Sequence, residues 1–292
     1  MNLAGAGRHE SFHAPSRNVQ EKGWVMKKAF FIALLLFPMI FACCSTVPIT
    51  GRRQLDFIPD NEMMAMSYQQ YGEFLKANAV SADKEKTATV KKVGVRIQGA
   101  VERYFKNQGM SSQLSDYQWE FNLIESEEVN AWAMPGGKVV VYTGLLPVAK
   151  TEAGLAVVMG HEIAHAVAKH GDERMSQALL TQMGGVALSE ALKNKPEKTQ
   201  TLWLSIYGAG AQLGVLLPYS RTQESEADHL GLIFMAMAGY DPNEAVVFWE
   251  RMSAQKSGAA PPEFLSTHPS DSTRISDMRK LISEAMKYYT PQ

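Results

Sequence analysis

Cysteine is almost absent: the 292 residues hold only Cys43 and Cys44, side by side. Two neighbours in the chain cannot brace a fold, so a disulfide framework is excluded. Charge is balanced rather than concentrated, with 29 basic and 30 acidic residues, a net charge of -1, and no run of five like charges. A nucleic-acid backbone finds no basic footprint on such a chain, and that class of partner is excluded. Repeats and low-complexity tracts are missing as well. What is present is apolar content, 46% of the residues. That is enough to bury a real core, over a length that suits one or two domains at about 150 residues each. We expect one folded domain.

A basic start, Met26-Lys27-Lys28, runs into an apolar stretch, residues 29–42, interrupted by Pro38. This is the order of an export signal, and it falls short of the ~20 residues that span a bilayer. Ile40-Phe41-Ala42-Cys43 resembles the lipobox of bacterial lipoproteins, although Phe41 is bulkier than usual there. The resemblance implies cleavage before Cys43 and a diacylglyceryl group on its thiol. Residues 1–25 then become an upstream extension, 26–42 a lipoprotein signal peptide, 43–59 a polar tether containing Pro48-Ile49-Thr50-Gly51-Arg52-Arg53, and 60–292 the domain. The expected location is the bacterial cell envelope, lipid-anchored at the outer membrane and facing the periplasm. An ordinary secretory signal with two unused cysteines is the plainer alternative.

Periodicity divides the domain. Asp60 opens a helix over 60–79, and Val90, Val93, Ile97, Ala100, Val101 and Tyr104 recur at three- and four-residue spacing along a second helix over 83–106. Between 117 and 143 the period shortens: Tyr117, Trp119, Phe121 and Leu123 alternate with polar residues, 138–143 is valine-rich, and Pro135-Gly136-Gly137 marks a turn. Six further helices follow at 151–169, 172–193, 199–216, 220–238, 242–255 and 271–287. The fold class is α+β, mainly helical, with a small sheet. Residues 202–218 carry no charge but contain glycines, and we expect a buried helix or a loop beneath the site rather than a membrane span.

The chemistry is concentrated in His161-Glu162-Ile163-Ala164-His165, inside an apolar helix. Residues four apart leave one face together, so both imidazoles can meet one cation. Zinc suits the pair, because its catalytic sites take three protein ligands and keep a fourth position for water. Glu162 lies one step round the helix, placed to accept a proton from the attacking water and pass it to the leaving amine. Two histidines and a glutamate buried in an apolar helix are costly unless an ion satisfies them. A third ligand must come from elsewhere. His170 is turned about 140° from His165 on a continuous helix, while His229 and His268 remain free. The acidic cluster Glu224-Ser225-Glu226-Ala227-Asp228 answers better, since Glu224 and Asp228 share one face a turn apart. Spacing leaves Glu226 open as the ligand instead, and an acidic helix start is the ordinary explanation of such a cluster.

Four ordered motifs resemble the membrane-associated gluzincin family that includes the HtpX heat-shock protease, the CAAX prenyl protease, the mitochondrial inner-membrane stress protease and bacterial lipoprotein proteases. They are Asn130-Ala131-Trp132-Ala133; the His161 motif; Ser220-Arg221 leading into Glu224-x-x-Ala227-Asp228; and Thr267-His268-Pro269-Ser270 followed by Arg274-Ile275. The resemblance implies a zincin-type metalloprotease domain with its sheet beside the His161 helix. It implies one zinc ion per chain on His161, His165 and Glu224, with Glu162 as base. It further implies Asp228 hydrogen-bonding a ligand histidine and Arg274 supporting from behind, His268 stabilising the oxyanion, and Asn130, Ala131, Trp132 and Ala133 pairing with an extended substrate. Protein or peptide substrates, a membrane reached through the lipid on Cys43, and the outer-membrane assembly machinery are the expected partners. A noncatalytic zinc-bound chaperone or assembly factor is the competing class, and Glu162, which a scaffold would not need, separates the two.

Overall fold

The computed structural model describes residues 44–212, 217–255, 262–269 and 272–291. The leader and Cys43 lie outside the described residues. Ser45–Gln292 cluster as one unit.

A hairpin comes first, β1 (Cys44–Thr46) against β2 (Arg53–Leu55). Within the segment expected to be a polar tether, Val47 is buried and Gln54 donates to the Ala168 carbonyl at 2.7 Å. Two helices follow, α1 (Asp60–Ala77) and α2 (Lys84–Asn107). Asp83 caps α2 by accepting from the Lys86 amide, and all six periodic residues of α2 are buried.

Three strands make the small sheet: β3 (Glu120–Ile124), β4 (Ala131–Met134) and β5 (Lys138–Tyr142). β5 is central, parallel to β3 and antiparallel to β4, which leaves β4 at an edge. Gly136 and Gly137 close the β4–β5 turn at φ +85° and +82°, the left-handed backbone that glycine adopts without strain.

After the short α3 (Leu146–Ala149) comes the central helix α4 (Glu152–Val167), capped by Thr151, whose hydroxyl accepts from the Gly154 amide at 3.0 Å. It is buried from Gly154 to its end, which accounts for a sequence that is apolar all round. Lys169, at φ +58°, then breaks the helical path and starts α5 (His170–Leu192) in a new direction. Next are α6 (Glu197–Ala211), α7 (Leu217–Met237), α8 (Glu244–Ala254), the short α9 (Glu263–Thr267) and α10 (Ser272–Ala285).

Residues 202–212 are not the buried element expected of the 202–218 stretch, whose residues 213–216 lie outside the described residues. Leu202, Trp203 and Ile206 are 51–58% exposed, as are Met183 and Val186 of α5 at 64–68%. The missing charge marks an apolar helical surface, not a core. Among the described residues no helix is long and apolar enough to cross a membrane.

Candidate metal centre

Two glycines place the site. A Cβ on Gly160 of α4 would stand 3.0 Å from the Gly231 carbonyl oxygen, and one on Gly231 of α7 would stand 3.0 Å from the His161 nitrogen. The two helices meet backbone to backbone, so the acidic side chains one and two turns before Gly231 reach the histidines one and five residues after Gly160.

The predicted donors converge. His161 Nε2 and His165 Nε2 are 3.1 Å apart. Glu224 lies 3.4 Å from the first through Oε2 and 3.2 Å from the second through Oε1. These are close to the edges of a tetrahedron centred on an ion about 2.0–2.2 Å from each atom. His161 Nδ1 lies 2.9 Å from Asp228 Oδ1 and donates to it, leaving a lone pair on Nε2. His161, His165, Glu224 and His268 form one group whose ligand atoms all fall within 4.8 Å of one another.

Electrostatics supports a cation here. Burial alone would lower the basicity of His161, but the carboxylates of Asp228 and Glu224 outweigh it and raise its pKa to about 9. Glu224 sits far below the usual carboxylate range: burial opposes its charge, and bonds from His161, His165 and His268 overcome that. Burial holds His165 and His170 below the ordinary imidazole value. Two imidazoles and a carboxylate in this geometry fit zinc.

Around the donors each predicted neighbour has a definite place. Arg274 grips Asp228 twice, at 2.8 and 2.7 Å, reaches Glu224 at 3.1 Å, and stacks 3.7 Å over the Trp249 ring. Glu162 is buried, and burial pushes its carboxyl up. Its Oε1 accepts no hydrogen bond from the described residues, although His268 Nε2 stands 3.3 Å away in poor alignment. His268 does not stand apart from the ligands: its Nδ1 is 3.1 Å from His161 Nε2 and 3.0 Å from Glu224 Oε2, while its ring stacks on Phe264. Of the four grouped donors, His161 and His165 are buried while Glu224 and His268 are each 13% exposed.

Asn130, Ala131, Trp132 and Ala133 lie on and just before edge strand β4, which packs against α4, the helix that carries the two histidines. Trp132 is turned to α1, with its ring 4.9 Å from Phe74 and 6.2 Å from Tyr71. Its side chain is packing material, and only the backbone edge is open to a ligand. Glu226, the alternative third ligand, faces away from the site and bonds His170. His170 comes within 2.9 Å of His165, which rotation along an unbroken helix did not suggest. Sequence reasoning missed Arg52, Glu173, Gln223, Trp249 and Phe264. The Pro48–Arg53 segment was the one available signal for Arg52.

Residues 95–282 match the family described as Peptidase family M48. The mitochondrial metalloendopeptidase OMA1 of Schizosaccharomyces pombe is 37% identical over 63% of this chain and 53% of its own length. The bovine mitochondrial metalloendopeptidase OMA1 is 32% identical over 87% of this chain and 49% of its own length. The beta-barrel assembly-enhancing protease of Escherichia coli K12 is 32% identical over 55% and 34%. The chain spans about half the length of the curated OMA1 relatives it matches.

Proposed function

This chain belongs to peptidase family M48, and from that premise we propose that it is a zinc-dependent endopeptidase cleaving flexible or misfolded cell-envelope proteins. The observation that carries the reading is the convergence of His161 Nε2, His165 Nε2 and Glu224 within 3.1–3.4 Å of one another, with Glu162, whose Oε1 accepts no hydrogen bond from the described residues, next to His161 in the chain. Zinc held by these three side chains supplies a Lewis acid that polarises water and a substrate carbonyl.

The chain's own residues do the rest. Glu162 takes a proton from the attacking water and delivers it to the leaving amine; its buried, raised carboxyl suits a group that must both accept and donate near neutral pH. Asp228 fixes the His161 tautomer, and Arg274 holds Asp228 and Glu224 in place. His268 gives its imidazole to the oxyanion, a role that requires a substrate carbonyl to take the position its Nδ1 holds here among the donors. The free edge of β4 offers backbone pairing to an extended chain, which favours unfolded substrates.

Envelope location rests on the lipobox-like sequence ending at Cys43, which would tie the enzyme to the outer membrane by a lipid. The E. coli relative's name, a beta-barrel assembly-enhancing protease, supports outer-membrane proteins as substrates or partners. A noncatalytic zinc-bound chaperone or assembly factor is disfavoured by the buried Glu162, which burial would otherwise select against. The test is casein cleavage by the wild type, the chelator-treated protein and Glu162→Gln, with zinc content measured in each. Zinc retained with cleavage intact in Glu162→Gln would overturn the assigned base, and a zinc-free wild type would overturn the whole reading.

A further inference from the structure

A second line of buried side chains runs away from the donors on the far side of His165, and the activity proposed above does not use it. His165 Nδ1 is 2.9 Å from His170 Nδ1, and His170 Nε2 is 3.2 Å from Glu226 Oε2. Glu226 accepts from Thr50 Oγ1 at 2.7 Å and from Arg52 Nε and Nη2 at 2.9 and 2.8 Å. The other edge of the same guanidinium grips Glu173 at 2.7 and 2.8 Å, and Gln223 donates to that carboxylate at 2.7 Å. His170, Glu173 and Gln223 are fully buried and Glu226 is 4% exposed. Thr50 and Arg52 belong to the arm that joins β1 to β2.

The donors and acceptors of this line fit together in one order. Ionised Glu226, already facing a guanidinium and a hydroxyl, can only accept, so His170 carries its proton on Nε2. The lone pair of neutral His170 is then on Nδ1, and the hydrogen between the two rings must come from His165 Nδ1. His165 is left with its lone pair on Nε2, the atom that lies 3.1 Å from His161 Nε2 and 3.2 Å from Glu224. Asp228 imposes the same tautomer on His161 by direct contact. The two imidazoles are thus oriented by two carboxylates, one adjacent and one acting through an intervening histidine.

The geometry points to Arg52 as a positioning residue: by holding Glu226 against His170, the N-terminal arm sets the tautomer and ring angle of His165. The inference rests on His165 being a zinc ligand, as proposed above. It makes the segment next to the expected anchor a working part of the metal site, so that seating of this arm tightens the hold on the ion. A carboxylate behind a ligand histidine commonly changes metal affinity 10- to 100-fold when lost. Distribution over a histidine and an arginine does not alter that logic, because every link is hydrogen-bonded and His170 and Glu226 are buried.

The experiment measures the zinc dissociation constant of the full chain by competition with a chromogenic chelator, and the visible absorption spectrum after cobalt replacement. Wild type, Glu226→Gln, Arg52→Gln, Arg52→Lys and the control His229→Gln are compared, with folding checked by circular dichroism. His229 bonds Glu284, outside this network. We expect Glu226→Gln and Arg52→Gln to weaken zinc binding about 10- to 100-fold and to shift the cobalt bands, Arg52→Lys to recover part of the loss, and His229→Gln to match the wild type. Arg52 is 20% exposed, so Arg52→Gln decides the matter should Glu226→Gln fail to fold. Folded Arg52→Gln with wild-type affinity and spectrum would overturn the role of the arm while leaving the protease reading intact. A wild type that binds no zinc would overturn that reading first.

Discussion

Gly160 and Gly231 face each other across α4 and α7 so closely that neither position has room for a methyl group without displacing backbone. The contact explains why residues far apart in the chain can share one ion. With a larger pair, the helices would stand further apart and Glu224 would lose reach to both histidines. Gly231→Ala is therefore expected to cost about 1–3 kcal/mol of stability from overpacking and to weaken metal binding with it. Urea unfolding and chelator competition on the same preparation check both effects, and an alanine variant as stable as the wild type with equal affinity would refute this account of the helix spacing.

Glu162→Gln keeps the volume and removes the base. The donors do not depend on it, so zinc content should stay at the wild-type level while cleavage falls by about 10²- to 10⁴-fold, the usual worth of a positioned acid-base group. Substrate affinity, measured by binding of an unfolded protein to the inactive variant, should change little.

Asp228→Asn removes the charge that holds the His161 proton on Nδ1 and that pairs with Arg274. Zinc affinity should drop about 10- to 100-fold, since the amide can present an N–H to His161 Nδ1 and turn its proton towards the metal. An affinity unchanged within twofold would mean that His161 is oriented by packing alone.

The helices were legible because amphipathic periodicity and burial agree: the six apolar positions of α2 point inward, and α4 is apolar on every side because every side is covered. The His161 and His165 donors were legible for a related reason, since helical spacing puts both on one face, whereas Glu224 was singled out from Glu226 by the family resemblance and not by spacing. The line from His165 to Arg52 was not legible. It depends on Lys169 adopting the left-handed conformation, and a lysine advertises no such break as glycine or asparagine would. Without that break, the angle between His165 and His170 is the ordinary helical one, and the contact is invisible. α9 escaped notice because five residues are too few to show a period, and the exposed surface of α6 because an uncharged stretch looks the same whether it is covered or bare.

Asp172 gives the protein a pH dependence separate from the metal. Burial, reinforced by Asp56, pushes its carboxyl up to about 7, with Lys169 opposing. Its folded pKa exceeds the unfolded value, so the folded state binds the extra proton, and stability is present below about pH 4 and declines as pH rises towards 7. Asp172→Asn, which cannot ionise, should raise the melting temperature at pH 8 more than at pH 5. Equal shifts at the two pH values would show that Asp172 is not held neutral by its surroundings.

The edge of β4 can be tested one atom at a time, because the ladder assigns every backbone group a direction. Tyr142 donates to the Asn130 carbonyl, so Asn130 and, by alternation, Trp132 and Met134 bond inward to β5. Ala131 and Ala133 turn their groups outward, and the Ala131 amide is already taken by the Asn130 side chain at 2.9 Å. The Ala133 amide is then the donor an extended substrate would use. Ala133→Pro deletes that N–H without removing a β5 bond, a substitution edge strands tolerate. Loss of one backbone hydrogen bond is worth about 0.5–1.5 kcal/mol, so kcat/KM for an unfolded protein should fall about 2- to 10-fold. Melting temperature and zinc content should hold. Trp132→Pro, one residue away, breaks the ladder instead and should lower stability, and if both variants cleaved as well as the wild type the substrate would have to bind elsewhere.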